Sequence, residues 1–440
     1  MATFRDDDVA DTEATERDMT NASALRDAMI SELCEIKALR SHQVVDAFRA
    51  VPREAFAPGA PLEDVYTATT SVVTKCDESG VPTSSVSAPE LQAFMLEQAE
   101  LSAGMNVLEV GSGGYNAALL AQLVGPTGSV TSIDIDPEVT ERARRYLETA
   151  GYPSVDVVLG DAEHGFAEAA PYDRIIVTVG AWDIPPAWAE QLTADGLLVV
   201  PLRMRGLTRS LALERSGDHL ASRSAMLCGF VAIQGAGAHP GQRLWLRGDE
   251  IYLRFDDNNG PDDPQRLAGL LDTRRTEVWS DVTIGRQESF DTLQLWLATT
   301  MPGFCLLTAP PGPDSGLVDD GHRWFNLAAV GNDSFAYLTS RPAVDGAVEF
   351  GVHGYGPDAA ALAHELTIQL RRWNDDQRRN SGPRFQVWPR ATSAAALPEG
   401  LSIDKQHSRV TITWPQRKSV VDTDRRAAGV PGRATTAILD

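Results

Sequence analysis

Apolar residues recur at spacings of three and four from Leu25 through Met29, Leu33 and Ile36, which predicts a helix. A second helix is expected from Ser41 through Val44, Val45 and Phe48, stopped by Pro52. The polar, acidic residues 1–21 lack this period and are expected to be disordered. Pro58 to Val86 reads as loop. From Leu91 onward short apolar runs alternate with helical patterns. Asn106–Val110, Ser129–Asp134, Val155–Leu159, Arg174–Val179 and Leu197–Leu202 read as strands. Between them, Ala117–Val124, Pro137–Ala150 and Pro185–Leu192 read as helices. That alternation specifies an α/β fold with a parallel, doubly wound sheet. Arg209–Glu214 and His219–Met226, joined by Ser-Gly-Asp, predict an antiparallel hairpin closing it.

The rhythm stops near Gly235-Ala236-Gly237. Beyond it the pattern is mixed α+β, with strands over Leu244–Phe255 and Ala347–Val352. A helix follows Pro357, with Leu362, Leu366, Leu370 and Trp373 on one face. This predicts a disordered 1–21, a catalytic domain over 22–235, an α+β domain over 236–414 and a flexible tail over 415–440. Trp245, Trp279, Trp296, Trp324, Trp373, Trp388 and Trp414 all fall beyond residue 235. Singly each reads as core; together they suit peptide recognition.

Charge narrows the function. A net charge of −22 repels phosphate backbones and excludes nucleic acid as a partner, while a neutral or basic peptide is tolerated. No run of eighteen apolar residues exists, so no membrane span is expected. The start, MATFRDDDVA, has no apolar core of a signal peptide, which points to a cytoplasmic protein. Cys34, Cys76, Cys228 and Cys305 are scattered and form neither a zinc pattern nor a disulfide framework. Asp256-Asp257-Asn258-Asn259-Gly260 resembles a calcium loop, but Leu267 stands where that loop needs glutamate. A solvated turn and no metal are expected there.

The chemistry concentrates at VLEVGSGGYN, residues 107–116. A strand ending in Gly111-Ser112-Gly113 lets backbone approach a ligand where a side chain would clash. Asn116 stands where a pyrophosphate cradle would need glycine, which disfavours a nicotinamide-dependent oxidoreductase. About twenty residues on, Asp134 ends the second strand, where it can accept from ribose hydroxyls. Asp136 suits a helix N-cap before Pro137. Asp161 ends the third strand, where it can accept from an adenine amino group. Together these point to a nucleoside without phosphates.

The order VLEVGSGGYN, SIDID, GDAEHGFAEAAPYDRIIVTVGA resembles the class I methyltransferases, and among them protein-L-isoaspartate O-methyltransferase. Ser87-Ala88-Pro89 is similar to that family's I-S-A-P segment, and the resemblance covers roughly residues 25 to 230. SSVSAPE, EVGSGGYNAALLA, TVGAWDIPPAW and VPLRMRGLTRS further resemble the FxLD-type branch associated with ribosomal peptide clusters such as lanthipeptides. The resemblance implies a Rossmann-like fold and S-adenosyl-L-methionine as cofactor. It places Ser85, Val86, Glu109, Gly111, Ser112, Gly113, Asp134, Ile135, Asp161, Ala162 and Thr178 around that cofactor. It also implies a peptide or protein acceptor, in this branch an aspartate of a modified precursor peptide, reaching isoaspartate through aspartimide.

Ser87 is the candidate catalytic residue by the same match. A carboxylate acceptor is already ionised at neutral pH and needs orientation more than a base. Ser87-Ala88-Pro89-Glu90 also fits a capping box, in which Ser87 only starts a helix. Glu90 replaces the family's histidine, and VVTKCDESGVPTSS forms a distinctive approach loop; both put isoaspartate as acceptor in doubt. Isoaspartyl repair and a non-catalytic binding module remain as rival readings.

Overall fold

The computed structural model describes residues 7–248, 250–285, 288–309, 317 and 327–415, with side chains from 21 onward. Helices α1 (Asp7–Glu35), α2 (His42–Ala50) and α3 (Leu62–Val65) precede a hairpin of β1 (Val72–Cys76) and β2 (Pro82–Val86). There follow α4 (Pro89–Ala99), β3 (Asn106–Val110), α5 (Tyr115–Val124), β4 (Ser129–Asp134), α6 (Pro137–Thr149) and β5 (Asp156–Leu159). Next come β6 (Tyr172–Val177), α7 (Pro186–Glu190), β7 (Leu192–Met204), β8 (Leu207–Ser216) and β9 (His219–Leu227). Beyond them lie β10 (Gln242–Arg247), β11 (Ile251–Phe255), β12 (Thr276–Ile284), α8 (Asp291–Thr300), β13 (Phe304–Thr308) and β14 (Leu327–Val330). The chain then forms β15 (Phe335–Pro342), β16 (Val348–Tyr355), α9 (Ala359–Arg372), β17 (Arg384–Pro389), β18 (Leu401–Asp404) and β19 (Ser408–Thr413).

The parallel sheet is as the alternation predicts. β3 lies between β4 and β6, with Val107 opposite Val130 and Arg174. Val107, Leu108 and Val110 are buried, the near-continuous apolar run of a strand covered on both faces. α6 starts as expected: the Asp136 carboxylate accepts from the backbone N–H groups of Glu138 and Val139, with Pro137 at the first turn. β7, β8 and β9 close the sheet through antiparallel pairs, including Ser216 opposite His219.

Four expectations are corrected. α1 begins at Asp7, inside the stretch read as disordered; residues 1–6 and the expected tail from 416 lie outside the described residues. The Pro58–Val86 loop contains α3 and the β1–β2 hairpin. Its inward position is taken by Ser84, which is buried although polar, so no apolar–polar alternation in the sequence marks it as a strand pair. The capping box does not form, because α4 is capped at Ala88 with no side-chain bond. The fourth correction concerns residue 235. β17, β18 and β19 return from the second region and join the first sheet, giving the order β18-β19-β17-β9-β8-β7-β6-β3-β4-β5.

A seven-stranded sheet, β10-β11-β13-β14-β15-β16-β12, makes up most of the added region. One apolar core runs from Leu108, Val110 and Leu198 through Leu297, Phe350 and Trp373 to Phe385 and Ile412. The expected face of α9 is in it: Leu366, Leu370 and Trp373 are buried and Leu362 packs against them. Trp388 is buried too, whereas Trp245 is 46% exposed on the outer strand β10; Trp324 lies outside the described residues. No described helix is long and apolar enough to cross a membrane.

A shared core couples the two regions energetically, since each fully buried large apolar side chain contributes about 1.5–3 kcal/mol. The parallel sheet and the added region are therefore expected to unfold in one calorimetric transition. Two separated transitions, with the cofactor site lost in only one of them, would contradict this coupling.

Candidate active site

The site is assembled where β3, β4, β5 and β6 end. At the tip of β3, Gly111 adopts φ +97°, and a Cβ there would lie 2.6 Å from Thr178 Oγ1. No other residue fits. The Thr178 hydroxyl is 3.0 Å from the carbonyl oxygens of both Val110 and Gly111, and the Thr178 N–H donates to Val110 at 2.8 Å. This fixes the loop for its next contact, in which Ser112 N–H donates to Asp134 Oδ2 at 2.9 Å. Asp136 N–H donates to Asp134 Oδ1 at 2.9 Å. Burial raises the Asp134 pKa against these two bonds, which favour the carboxylate. Each oxygen keeps a further lone pair for a ligand hydroxyl.

Gly111, Asp134, Ile135, Asp161 and Ala162 line one cleft of about 40 Å³, room for roughly three waters. Thr83, Val179 and Ala232–Gln234 complete its walls, and none of these was singled out in the sequence. Asp161 caps the turn after β5 by accepting from Glu163 N–H at 3.0 Å, and its Oδ2 accepts from Ala236 N–H at 2.9 Å. The chain leaving β9 thus closes over the end of the cleft that the sequence assigned to adenine. A Cβ on Gly235 would meet Asp161 Oδ2 at 2.4 Å, so glycine is required for this approach as well.

Two of the residues expected around the cofactor turn their side chains inward. Glu109 is wholly buried beneath the loop, where its carboxylate accepts from Asn116 Nδ2 at 2.8 Å and Ser132 Oγ at 2.5 Å. It braces the glycine turn from below. Val86 points into the core, because alternation along β2 turns it inward while Ser85 faces the loop. A Cβ on Gly113 would lie 3.5 Å from the Ser85 carbonyl oxygen, so β2 roofs the glycine turn.

Ser87 follows directly, half-buried, with no hydrogen bond to its hydroxyl among the described residues. Its backbone is held by Arg53, which the sequence reading missed. The wholly buried Arg53 guanidinium donates to the carbonyls of Val65, Val86 and Ser87 and to Gln92 Oε1. It also stacks over Tyr115, 4.9 Å from the ring centre. Burial pulls its pKa down to about 10, so it stays charged at neutral pH. The hairpin is clamped on its other side by Lys75, 2.6 Å from Asp136 and 2.8 Å from Glu138. Arg142 adds bonds to Thr74 Oγ1 and Ser84 Oγ.

The loop after β6 is gripped by the added region. Trp182 Nε1 donates to Asp257 Oδ1 at 2.9 Å, and its ring stacks on His239 at 3.8 Å. Lys405, wholly buried, lies 3.1 Å from Asp257 and 4.6 Å from the Trp182 ring centre. Asp183 accepts from His407 N–H and Ser408 Oγ. The Asp256–Gly260 turn, expected to be solvated, is therefore a correction. Asp256 is 2% exposed and pairs with Arg203 at 3.2 Å, and Asp257 holds Lys405. No cluster of metal-ligating side chains exists among the described residues.

A doubly wound sheet with a glycine turn after its first strand and carboxylates after the next two defines a class I, S-adenosylmethionine-dependent methyltransferase. The sequence profile of Protein-L-isoaspartate(D-aspartate) O-methyltransferase matches residues 24–237. The chain is 42% identical over 168 residues to the Protein-L-isoaspartate O-methyltransferase of Ignicoccus hospitalis, covering 37% of this chain and 75% of that one. It is 39% identical over 205 residues to that of Methanococcoides burtonii, covering 46% and 98%. A solved protein-L-isoaspartate O-methyltransferase aligns at TM-score 0.47 and 21% identity, over 88% of this chain and 99% of its own. The chain belongs to the protein-L-isoaspartate O-methyltransferase family and is an S-adenosylmethionine-dependent (iso)aspartyl O-methyltransferase.

Two outcomes follow for the cofactor end. Asp134→Ala should weaken S-adenosylmethionine binding by about 1.5–3 kcal/mol, the worth of a hydrogen bond to a charged group. Unchanged affinity in calorimetry would remove Asp134 from the ribose contact. Burial raises the Glu109 pKa to about 7, so the folded chain binds this proton more tightly than the unfolded one. Its contribution to stability is complete below the ordinary carboxylate range and is lost as pH rises toward 7. Glu109→Gln should therefore gain stability relative to the parent between pH 5 and 8, by about 3 kcal/mol. Equal urea midpoint differences at the two pH values would refute the assignment.

Proposed function

We propose that the enzyme methylates an aspartyl side chain within a modified peptide. The observation that carries this reading is the added region. It extends well beyond the part shared with the archaeal relatives, and it is bonded to the loop after β6 through Trp182, Asp183 and Lys405. A region so placed is suited to shaping the acceptor side of the site.

In this reading Gly111, Asp134 and Asp161 hold S-adenosylmethionine, which supplies an electrophilic methyl group. The acceptor carboxylate is ionised and attacks in line, so the protein's task is orientation. The Ser87 hydroxyl, free of partners among the described residues and held at the roof of the glycine turn by Arg53, donates a hydrogen bond to one carboxylate oxygen and leaves the other to react. Glu90 lies three residues further on, and burial raises its pKa first, with Glu32 adding to the effect. Esterification makes methanol the leaving group when the following backbone nitrogen attacks the side-chain carbonyl. The resulting aspartimide opens with water to isoaspartate or aspartate.

Isoaspartyl repair is the second reading, favoured by the names of the archaeal relatives. The intact enzyme would be given a ring-bearing precursor peptide, its linear form and a short isoaspartyl peptide, and methyl ester formation followed by mass. Methylation of the precursor supports the proposal; efficient methylation of the isoaspartyl peptide alone returns the enzyme to repair. Ser87→Ala should lower kcat by about tenfold or more with cofactor affinity kept. Because Ser87 caps no helix, its melting temperature should hold. Loss of activity that tracks loss of stability would reject the role.

A further inference from the structure

The ten-stranded sheet contains a seam. β9 and β17 pair only at Leu220 with Val387 and Ala221 with Gln386. Beyond this the Phe385 N–H turns to Ser222 Oγ at 3.0 Å and the strands part. From Ser222 to Leu227, β9 keeps its ladder to β8 on one side only. Such an edge offers backbone donors and acceptors to any extended chain that lies beside it.

The parting leaves a cleft of about 480 Å³ between Ala221–Ala225 and Ser381–Gln386. Three arginines, Arg209, Arg223 and Arg384, line it against one carboxylate, Asp291. Asp291 is directed at its own helix, accepting from Ser289 Oγ and Thr292 N–H. Arg209 is 1% exposed, and its guanidinium donates to the carbonyls of Thr208 and Asp291 and to Gln294 Oε1. None of these acceptors is a carboxylate. Arg223 pairs with Glu100 and Glu214 at 3.1 and 3.6 Å. Arg384 is exposed and has no side-chain partner among the described residues.

We propose that this seam binds an extended, acidic segment of the peptide acceptor, added as a strand beside Ser222–Leu227. The inference rests on the reading of the acceptor as a peptide. The chain's net charge of −22 repels such a segment at long range, but screening confines that repulsion to about 8 Å at physiological salt. Inside the cleft Glu100 and Glu214 already neutralise Arg223, and the positive charge left for such a segment is that of Arg384 and of Arg209, which hydrogen-bonds no carboxylate. Strand direction supplies the link to catalysis. β9 runs parallel to β7, since both are antiparallel to β8, so it ends at the edge of the sheet where the cofactor strands end. The chain then continues to Ala232–Gln234, which wall the cofactor cleft. A segment docked along β9 leads toward the catalytic face.

The test uses the intact protein and a fluorescent peptide of alternating glutamate and valine, with a lysine–valine peptide as control. The acidic peptide should bind, and its affinity should fall with salt. Arg384→Glu should weaken it by about tenfold or more, whereas Arg384→Lys should stay within about threefold. Circular dichroism and cofactor affinity should be unchanged in both variants. An aspartyl acceptor carrying the acidic segment should show a raised KM with unchanged kcat in Arg384→Glu, and a short isoaspartyl peptide without the segment should show no change. Equal binding of the acidic and basic peptides, or binding indifferent to Arg384→Glu, overturns the proposal. Arg384-dependent binding without methylation of the aspartyl acceptor keeps the seam and removes the peptide-acceptor reading. Methylation indifferent to Arg384 does the reverse.

Discussion

The close approach of Thr178 to Gly111 is the constraint on which the site depends. Only a residue without a side chain lets the tip of β3 lie against the end of β6, and the Thr178 hydroxyl then bonds the carbonyls on both sides of the turn. On the β3 side this aims the Ser112 N–H at Asp134. On the β6 side it sets the start of the loop that carries Trp182 and Asp183 into the added region. The cofactor turn and the grip of the second region are thus two ends of one short stretch of backbone.

Much of this was legible in the sequence because it is local. The parallel sheet follows from alternating runs of the right length, and the glycine turn and its two carboxylates sit at fixed offsets from strand ends. Asp136 was readable as a cap because Pro137 follows it. What escaped depends on residues far apart in the chain. Arg53 joins carbonyls at residues 65, 86 and 87, and nothing in its own neighbourhood says that it is buried. Asp256 and Asp257 looked solvated because their partners, Arg203 and Lys405, lie about fifty residues before and about 150 residues after them. Glu109 was read as a ligand from its place in the motif, yet alternation along β3 turns it inward to Asn116 and Ser132. The boundary at 235 was drawn from a change of rhythm, which cannot reveal strands that come back.

The buried charges between the regions favour one arrangement more than they add stability. Desolvating Lys405, Asp257, Arg203 and Asp256 is costly, and pairing them recovers much of that cost only in one geometry. Burial lowers the Lys405 pKa, as expected for an ammonium withdrawn from water. An apolar junction of the same area would hold the regions together but tolerate sliding. The loop after β6 would then lose its defined position above the cofactor strands.

The return of β17 has a consequence for how the chain is made. Phe385 and Ser222, bonded across the seam, are 163 residues apart in sequence. During synthesis β9 therefore emerges long before the strand that pairs with it, and for that interval the whole flank of the sheet is open to other chains. Contacts of such long range close slowly, because the intervening loop must lose its entropy before any of them forms. Nascent chains of this enzyme consequently carry a period of aggregation hazard at this strand.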